Sequence, residues 1–103
     1  MAVISIGSAE AFSRVKSSPK PVIIDFKASW CGPCQYLGPI FKEMSEKYSD
    51  VGFFSVDVDD LSDVAMSEGV SSMPTIIAYQ NGRLVQKVVG ADPNAIERMI
   101  QSL

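Results

Sequence analysis

The stretch Val22-Ile23-Ile24-Asp25-Phe26-Lys27-Ala28-Ser29-Trp30-Cys31-Gly32-Pro33-Cys34 decides the fold. Its first part, Val22–Ala28, is a β-rich run that is apolar on both alternating faces except at Asp25 and Lys27. A continuous apolar run of this kind suits a central strand of a parallel sheet, where both faces are covered. After Cys31 the period changes to that of a helix. Leu37, Ile40, Phe41, Met44 and Tyr48 fall on one stripe of Cys31–Ser49, and Glu43–Lys47 is a supportive i,i+4 pair. Pro39 removes one N–H inside this pattern and frees the Gln35 carbonyl, so a kink is expected rather than a break. Two cysteines therefore stand where a buried strand turns into a helix.

Toward the N-terminus, Val3–Ile6 reads as a short strand. Ser8 can cap a helix that carries Glu10 in its first turn and Ala11, Phe12 and Val15 on one face, and Pro19 and Pro21 end that region. Toward the C-terminus, Gly52–Val58 reads as a strand. Asp60 is placed to cap a helix Leu61–Glu68 that stops at Gly69. Thr75–Tyr79 and Leu84–Val89 flank Asn81-Gly82, the strongest short hairpin signal. Asp92 then caps and Pro93 opens a last helix with Ile96, Met99, Ile100 and Leu103 on one face. The expected order is β-α-β-α-β-α-β-β-α: an α/β fold whose alternating first half requires parallel strands with right-handed crossovers and whose second half adds an antiparallel hairpin. A mixed five-stranded sheet with helices on both faces follows.

The composition agrees and excludes several classes of function. A length of 103 residues predicts one domain, residues 1–103, and 47% hydrophobic with 20% charged residues is ordinary for a folded globular chain. A net charge of −3 and a pI of about 4.7 lack the basic footprint of nucleic-acid binding. No apolar run approaches the ~18 residues of a membrane span, and MAVISIGSAE has neither the positive n-region nor the apolar h-region of a secretory signal. The expected setting is the cytoplasm, with no nucleic acid and no membrane partner. With no histidine, a His-based triad, base or metal ligand is impossible, and two cysteines are too few for a secreted disulfide scaffold.

The chemistry is expected at Trp30-Cys31-Gly32-Pro33-Cys34. Cysteines at i and i+3 on a first helical turn lie about 5 Å apart at Cα, within disulfide reach. The helix N-terminus favours a thiolate at Cys31, Pro33 suits the first turn, and Gly32 leaves room for a second disulfide to approach. Other readings of the pair fit less well. A purely structural disulfide closing so short a loop stabilises little compared with one that closes a long loop, a zinc half-site finds no further Cys or His, and haem attachment needs His where the chain has Gln35. A redox-active pair is the reading that remains, with no metal and no bound cofactor. Asp25, inside the apolar strand, is expected to be buried with a raised pKa unless it reaches water at an edge, and it is the nearest candidate proton acceptor for Cys34. Met73-Pro74-Thr75 leaves both a strand-opening proline and a cis bond open.

Trp30-Cys31-Gly32-Pro33-Cys34 preceded by Asp25, followed by Met73-Pro74-Thr75, Asn81-Gly82 and Gly90, resembles the thioredoxin family over nearly the whole chain. The short eukaryotic cytosolic members are the most similar, as in Val56-Asp57-Val58-Asp59-Asp60. The resemblance implies a thioredoxin fold and a protein-disulfide reductase. Cys31 would be the exposed nucleophile, Cys34 the buried resolving thiol, Asp25 the carboxyl beneath them, and Met73–Pro74 a cis bond facing the sulfurs. Trp30, Gly32, Pro33, Val58, Met73, Pro74, Gly90 and Ala91 would form the docking surface for clients, whose extended segments would pair with backbone at Met73. The partners implied are disulfide-containing client proteins and a separate NADPH-dependent flavoprotein, thioredoxin reductase, acting on a monomer. A glutathione-coupled glutaredoxin-like enzyme or a disulfide isomerase module would usually carry other residues between the cysteines. A redox-inert binding module on the same fold is the non-enzymatic alternative. Four positions depart from frequent family patterns: Gln35 where lysine is common, Ser55 where lysine or glutamate is common, Lys27 where bacterial members often have tryptophan, and Ser72 where animal members often have cysteine.

Overall fold

The computed structural model describes residues 3–103, so Met1 and Ala2, within the stretch read for a leader, lie outside it. Five strands alternate with helices in the expected order: β1 (Ile4–Ser5), α1 (Ala9–Lys16), β2 (Val22–Lys27), α2 (Gly32–Lys47), β3 (Gly52–Asp57), α3 (Ser62–Ser67), β4 (Thr75–Gln80), β5 (Arg83–Val89) and α4 (Pro93–Gln101). They form one sheet in the order β1-β3-β2-β4-β5. The apolar run of β2 occupies the centre, parallel to β3 on one side and antiparallel to β4 on the other. β1 pairs parallel with β3, and β5 closes the far edge antiparallel to β4.

Strand alternation divides the core into two layers. Val22, Ile24 and Phe26 of β2 pack with Phe12 of α1, Val64 and Ala65 of α3, and Ile77 and Tyr79 of β4. Ile23 faces the other way, onto Leu37, Phe41 and Met44 of α2 and Ile96, Met99 and Ile100 of α4. Asp25 and Lys27 share the face of Ile23 by the same alternation, which aims the strand's two charged residues at α2. Aromatic edges lock the first layer, with Phe12 set edge-on to both Phe26 and Tyr79 at centroid distances of 6.1 and 5.9 Å.

Local signals account for most element ends. Ser8 caps α1 by accepting the Ala11 N–H, and Asp92 caps α4 by accepting the Ala95 N–H. Asn81 and Gly82 both have positive φ, 56° and 81°, the backbone of a two-residue hairpin turn. α2 runs on through Pro39, as expected of a proline that bends a helix without ending it.

Three local expectations differ from what is observed. Only Ile4–Ser5 of the run Val3–Ile6 pairs as a strand. Asp60 does not cap α3: the helix begins at Ser62 behind Leu61, with no side-chain cap. The carboxylate that organises this loop is Asp57, whose Oδ1 accepts the Asp59 N–H while its carbonyl accepts from Asp60 and Leu61. The helical pair Glu43–Lys47 is replaced by a tertiary one, Lys47 Nζ to Glu97 of α4 at 2.6 Å, with Tyr48 donating to the same carboxylate. A carboxylate on the facing helix outcompetes an i−4 neighbour worth only a few tenths of a kcal/mol, about 0.2–0.5.

Candidate active site

Cys31 is the N-cap of α2. Its backbone is still extended, φ −93° and ψ 112°, and its Sγ accepts the backbone N–H of Cys34 at 3.3 Å. The sulfur therefore occupies the place where a capping oxygen normally meets the unpaired amides and positive end of a helix. Pro33 falls in the first turn, where its missing N–H costs nothing. Cys34 lies one turn inside, and the two are joined as a disulfide with Cα atoms 5.3 Å apart, as helix spacing requires.

The sulfurs are packed with Ala28, Val58 and Met73. The Met73 carbonyl oxygen lies 3.6 Å from Cys31 Sγ, and the Met73–Pro74 bond is cis. The resemblance made Cys31 exposed and Cys34 buried, whereas in the disulfide both are covered, at 5% and 3%. Cys31 sits under Met73 and Val58, and the open surface belongs to its neighbours Trp30, Gly32 and Pro33.

Asp25 lies beneath α2, paired in register with Ser55 of β3 and Ile76 of β4. It is 2% exposed, so the alternative of an edge position reaching water does not hold. Its Oδ1 is buried with no hydrogen-bond partner among the described residues. Burial pushes the carboxyl up from 3.8 to about 6, against an opposing pull from the Lys27 ammonium. Ser55 is the uncharged neighbour expected on β3, but the carboxyl is not without a cation: its own strand supplies Lys27. The spacing 25 and 27 on a strand was the signal for this.

The expected docking residues are only partly on one surface. Trp30 is 64% exposed, Val58, Met73 and Gly90 are half-buried, and Pro74 is buried, with its carbonyl accepting the Gly90 N–H. Ala91 packs instead against the core layer beneath α2 and α4. Two polar contacts had no sequence expectation. Trp30 Nε1 donates to Asp59 at 2.9 Å, pinning the exposed indole to the loop after β3. Gln35 Nε2 donates to the Ser29 carbonyl, bracing the turn that carries the cysteines. Among the described residues no three His, Cys, Asp or Glu side chains gather as a metal site, and no helix is long and apolar enough to cross a membrane.

The Thioredoxin family model matches residues 2–102. The chain belongs to the thioredoxin family. It is 47% identical over 95 residues to thioredoxin-2 of Saccharomyces cerevisiae, covering 92% of this chain and 91% of that one. With thioredoxin-1 of the same yeast it shares 43% over 98 residues, 95% of each chain. The crystal structure of Malassezia sympodialis thioredoxin superposes with a TM-score of 0.94 at 41% identity, covering 98% of this chain and 90% of that one. Like other thioredoxins the chain is a disulfide oxidoreductase, and Cys31–Cys34 is its redox-active pair. Family members are generally reduced by thioredoxin reductase and act on disulfide substrates.

Proposed function

We propose that this chain, as one domain over residues 1–103 and as a monomer, reduces disulfides of client proteins in the cytoplasm, serving electron transport and cell redox homeostasis. Cys31 is the nucleophile. Its thiolate attacks one sulfur of the client disulfide, that S–S bond breaks, and the displaced client thiolate leaves while a Cys31–client mixed disulfide forms. Cys34 resolves it. Its thiol gives its proton to the Asp25 carboxylate, directly or through a water, and its thiolate attacks Cys31 Sγ. The mixed disulfide breaks, the second client thiolate leaves, and two electrons have passed from the dithiol to the client. A separate flavoprotein reductase drawing on NADPH returns the Cys31–Cys34 disulfide to the dithiol; the chain has no nucleotide-binding glycine motif of its own. Gly32, Pro33 and Trp30 flank the attacked sulfur, while Val58, Met73, Pro74, Gly90 and Ala91 receive the extended client chain.

One observation carries the division of roles. Cys31 Sγ is the cap that accepts the Cys34 N–H, so negative charge on sulfur is favoured at Cys31, while Cys34 lies one turn inside the helix and is buried. The test is trapping. Cys34→Ser is expected to accumulate mixed disulfides with clients on non-reducing gels, and Cys31→Ser is not. Equal trapping by both variants ends the assignment. Insulin reduction with dithiothreitol no faster than that of Cys31→Ser marks a redox-inert binding module, and turnover coupled to glutathione but not to NADPH and the flavoprotein marks a glutaredoxin-like enzyme.

A further inference from the structure

Asp25 and Cys34 open onto two neighbouring depressions on the α2 side of the sheet. One, of about 400 Å³, is lined by Asp25 with Ser55, Lys27, Gly38 and Lys42. The other, of about 180 Å³, is lined by Cys34 with Gln35, Asp57, Lys27 and Gly38. Among the described residues Lys27 is the ionisable side chain common to both. Strand geometry places it on the face of Asp25, roughly 7 Å along β2. Each element packed against Asp25 contributes differently. β3 places uncharged Ser55 opposite Asp25 and puts Asp57 opposite Lys27. β4 offers apolar Ile76. Beside it Val3 and Ser5 carry no charge, and α2 brings Lys42 to the rim and Cys34 to the adjoining depression. Of the two lysines, Lys27 is the one whose attraction opposes the burial of Asp25.

We propose that Lys27 is a positioning residue for the second half of the reaction: its ammonium, on the rim shared by the two depressions, favours the ionised Asp25 carboxylate and so keeps it ready to take the proton of Cys34. The inference rests on the reading of Asp25 as proton acceptor. It also gives a role to a departure from the common family pattern, since the cation comes from β2 itself rather than from the strand that carries Ser55. Lys27 is exposed, so its influence is modest and falls as salt screens it.

The experiment follows the Asp25 carboxyl by 13C NMR in the reduced full chain, alongside the pH profile of mixed-disulfide resolution. Lys27→Gln is expected to move both midpoints upward by about 0.5 pH unit at low salt and by less at 1 M salt. Lys27→Arg should hold both near the wild-type values, and Lys42→Gln should leave both in place. In an Asp25→Asn background, Lys27→Gln should produce no further shift of the resolution profile. An unmoved carboxyl midpoint in Lys27→Gln overturns the role of Lys27 and leaves Asp25 as acceptor intact. A profile that moves equally in the Asp25→Asn background also overturns it, because Lys27 then acts on Cys34 itself. Full-speed resolution by Asp25→Asn alone overturns the acceptor reading, whatever Lys27 does to the titration.

Discussion

At Asp25 the requirements of folding and of chemistry oppose each other. A carboxylate 2% exposed, with one oxygen lacking a partner, destabilises the native state whenever it is charged. The folded pKa, about 6, stands above the unfolded value of about 3.9, so the native chain binds the proton more tightly than the unfolded one. Stability therefore falls as pH rises through that interval, and above it the full cost is present. A shift from 3.8 to about 6 corresponds to something on the order of 3 kcal/mol. Removing one carboxyl leaves a small cavity, worth about 1 kcal/mol by the usual scale of a lost group that size. Asp25→Ala is thus expected to raise the urea midpoint at pH 7–8, with the gain shrinking and then reversing below pH 4, where both states are protonated. The same variant should slow resolution of the mixed disulfide. Urea melts across pH, paired with single-turnover kinetics, check both halves. A loss of stability at pH 8 together with full-speed turnover makes Asp25 an ordinary structural residue.

Among the elements, legibility tracks how local the deciding interaction is. The hairpin at Asn81-Gly82 and the caps at Ser8 and Asp92 depend on neighbours within four residues, and all are observed where the sequence puts them. The end of α3 was open to misreading because Asp57 and Asp60 both precede it. Which carboxylate organises the loop depends on where β3 stops, and β3 ends at Asp57, one residue short of the expected Val58. Lys47 illustrates the limit more sharply, since its partner Glu97 lies 50 residues away. The two acidic residues give a paired prediction. Asp92→Ala removes an acceptor from the first turn of α4 and is expected to cost about 1 kcal/mol. Asp60→Ala, with no cap to lose, should change stability by less than about 0.5 kcal/mol. Urea melts of the two variants decide it; equal losses would make Asp60 the cap of α3 in solution.

On the scale of the whole molecule, the sheet brings together what the sequence keeps apart. Cys31 and Cys34 follow β2, Val58 follows β3, and Met73 precedes β4; these are three adjacent strands, and their ends converge on the sulfurs. The motif at residues 30–34 was legible because it is contiguous, whereas the covering of Cys31 by Met73 and Val58 required the strand order. The start of α2, rather than the strand order, sets how far folding prepares the pair for its disulfide. The N-cap position holds the two Cα atoms 5.3 Å apart through helix geometry alone, so the bond closes without remodelling the fold. In the unfolded chain the same bond closes a loop of four residues and removes an entropy worth about 2 kcal/mol. The oxidised protein is therefore expected to unfold at a higher denaturant concentration than the dithiol, by a free-energy difference of about 2 kcal/mol. By linkage the folded chain then holds its disulfide about that much more firmly than the unfolded chain does. The measurement is a pair of urea melts, one on oxidised protein and one on protein kept in excess dithiothreitol, at pH 5 as well as pH 8 so that the charge on Asp25 is varied independently. Equal midpoints at both pH values would show that α2 does not hold the cysteines ready, and that closing the bond strains the folded state by as much as it constrains the unfolded one.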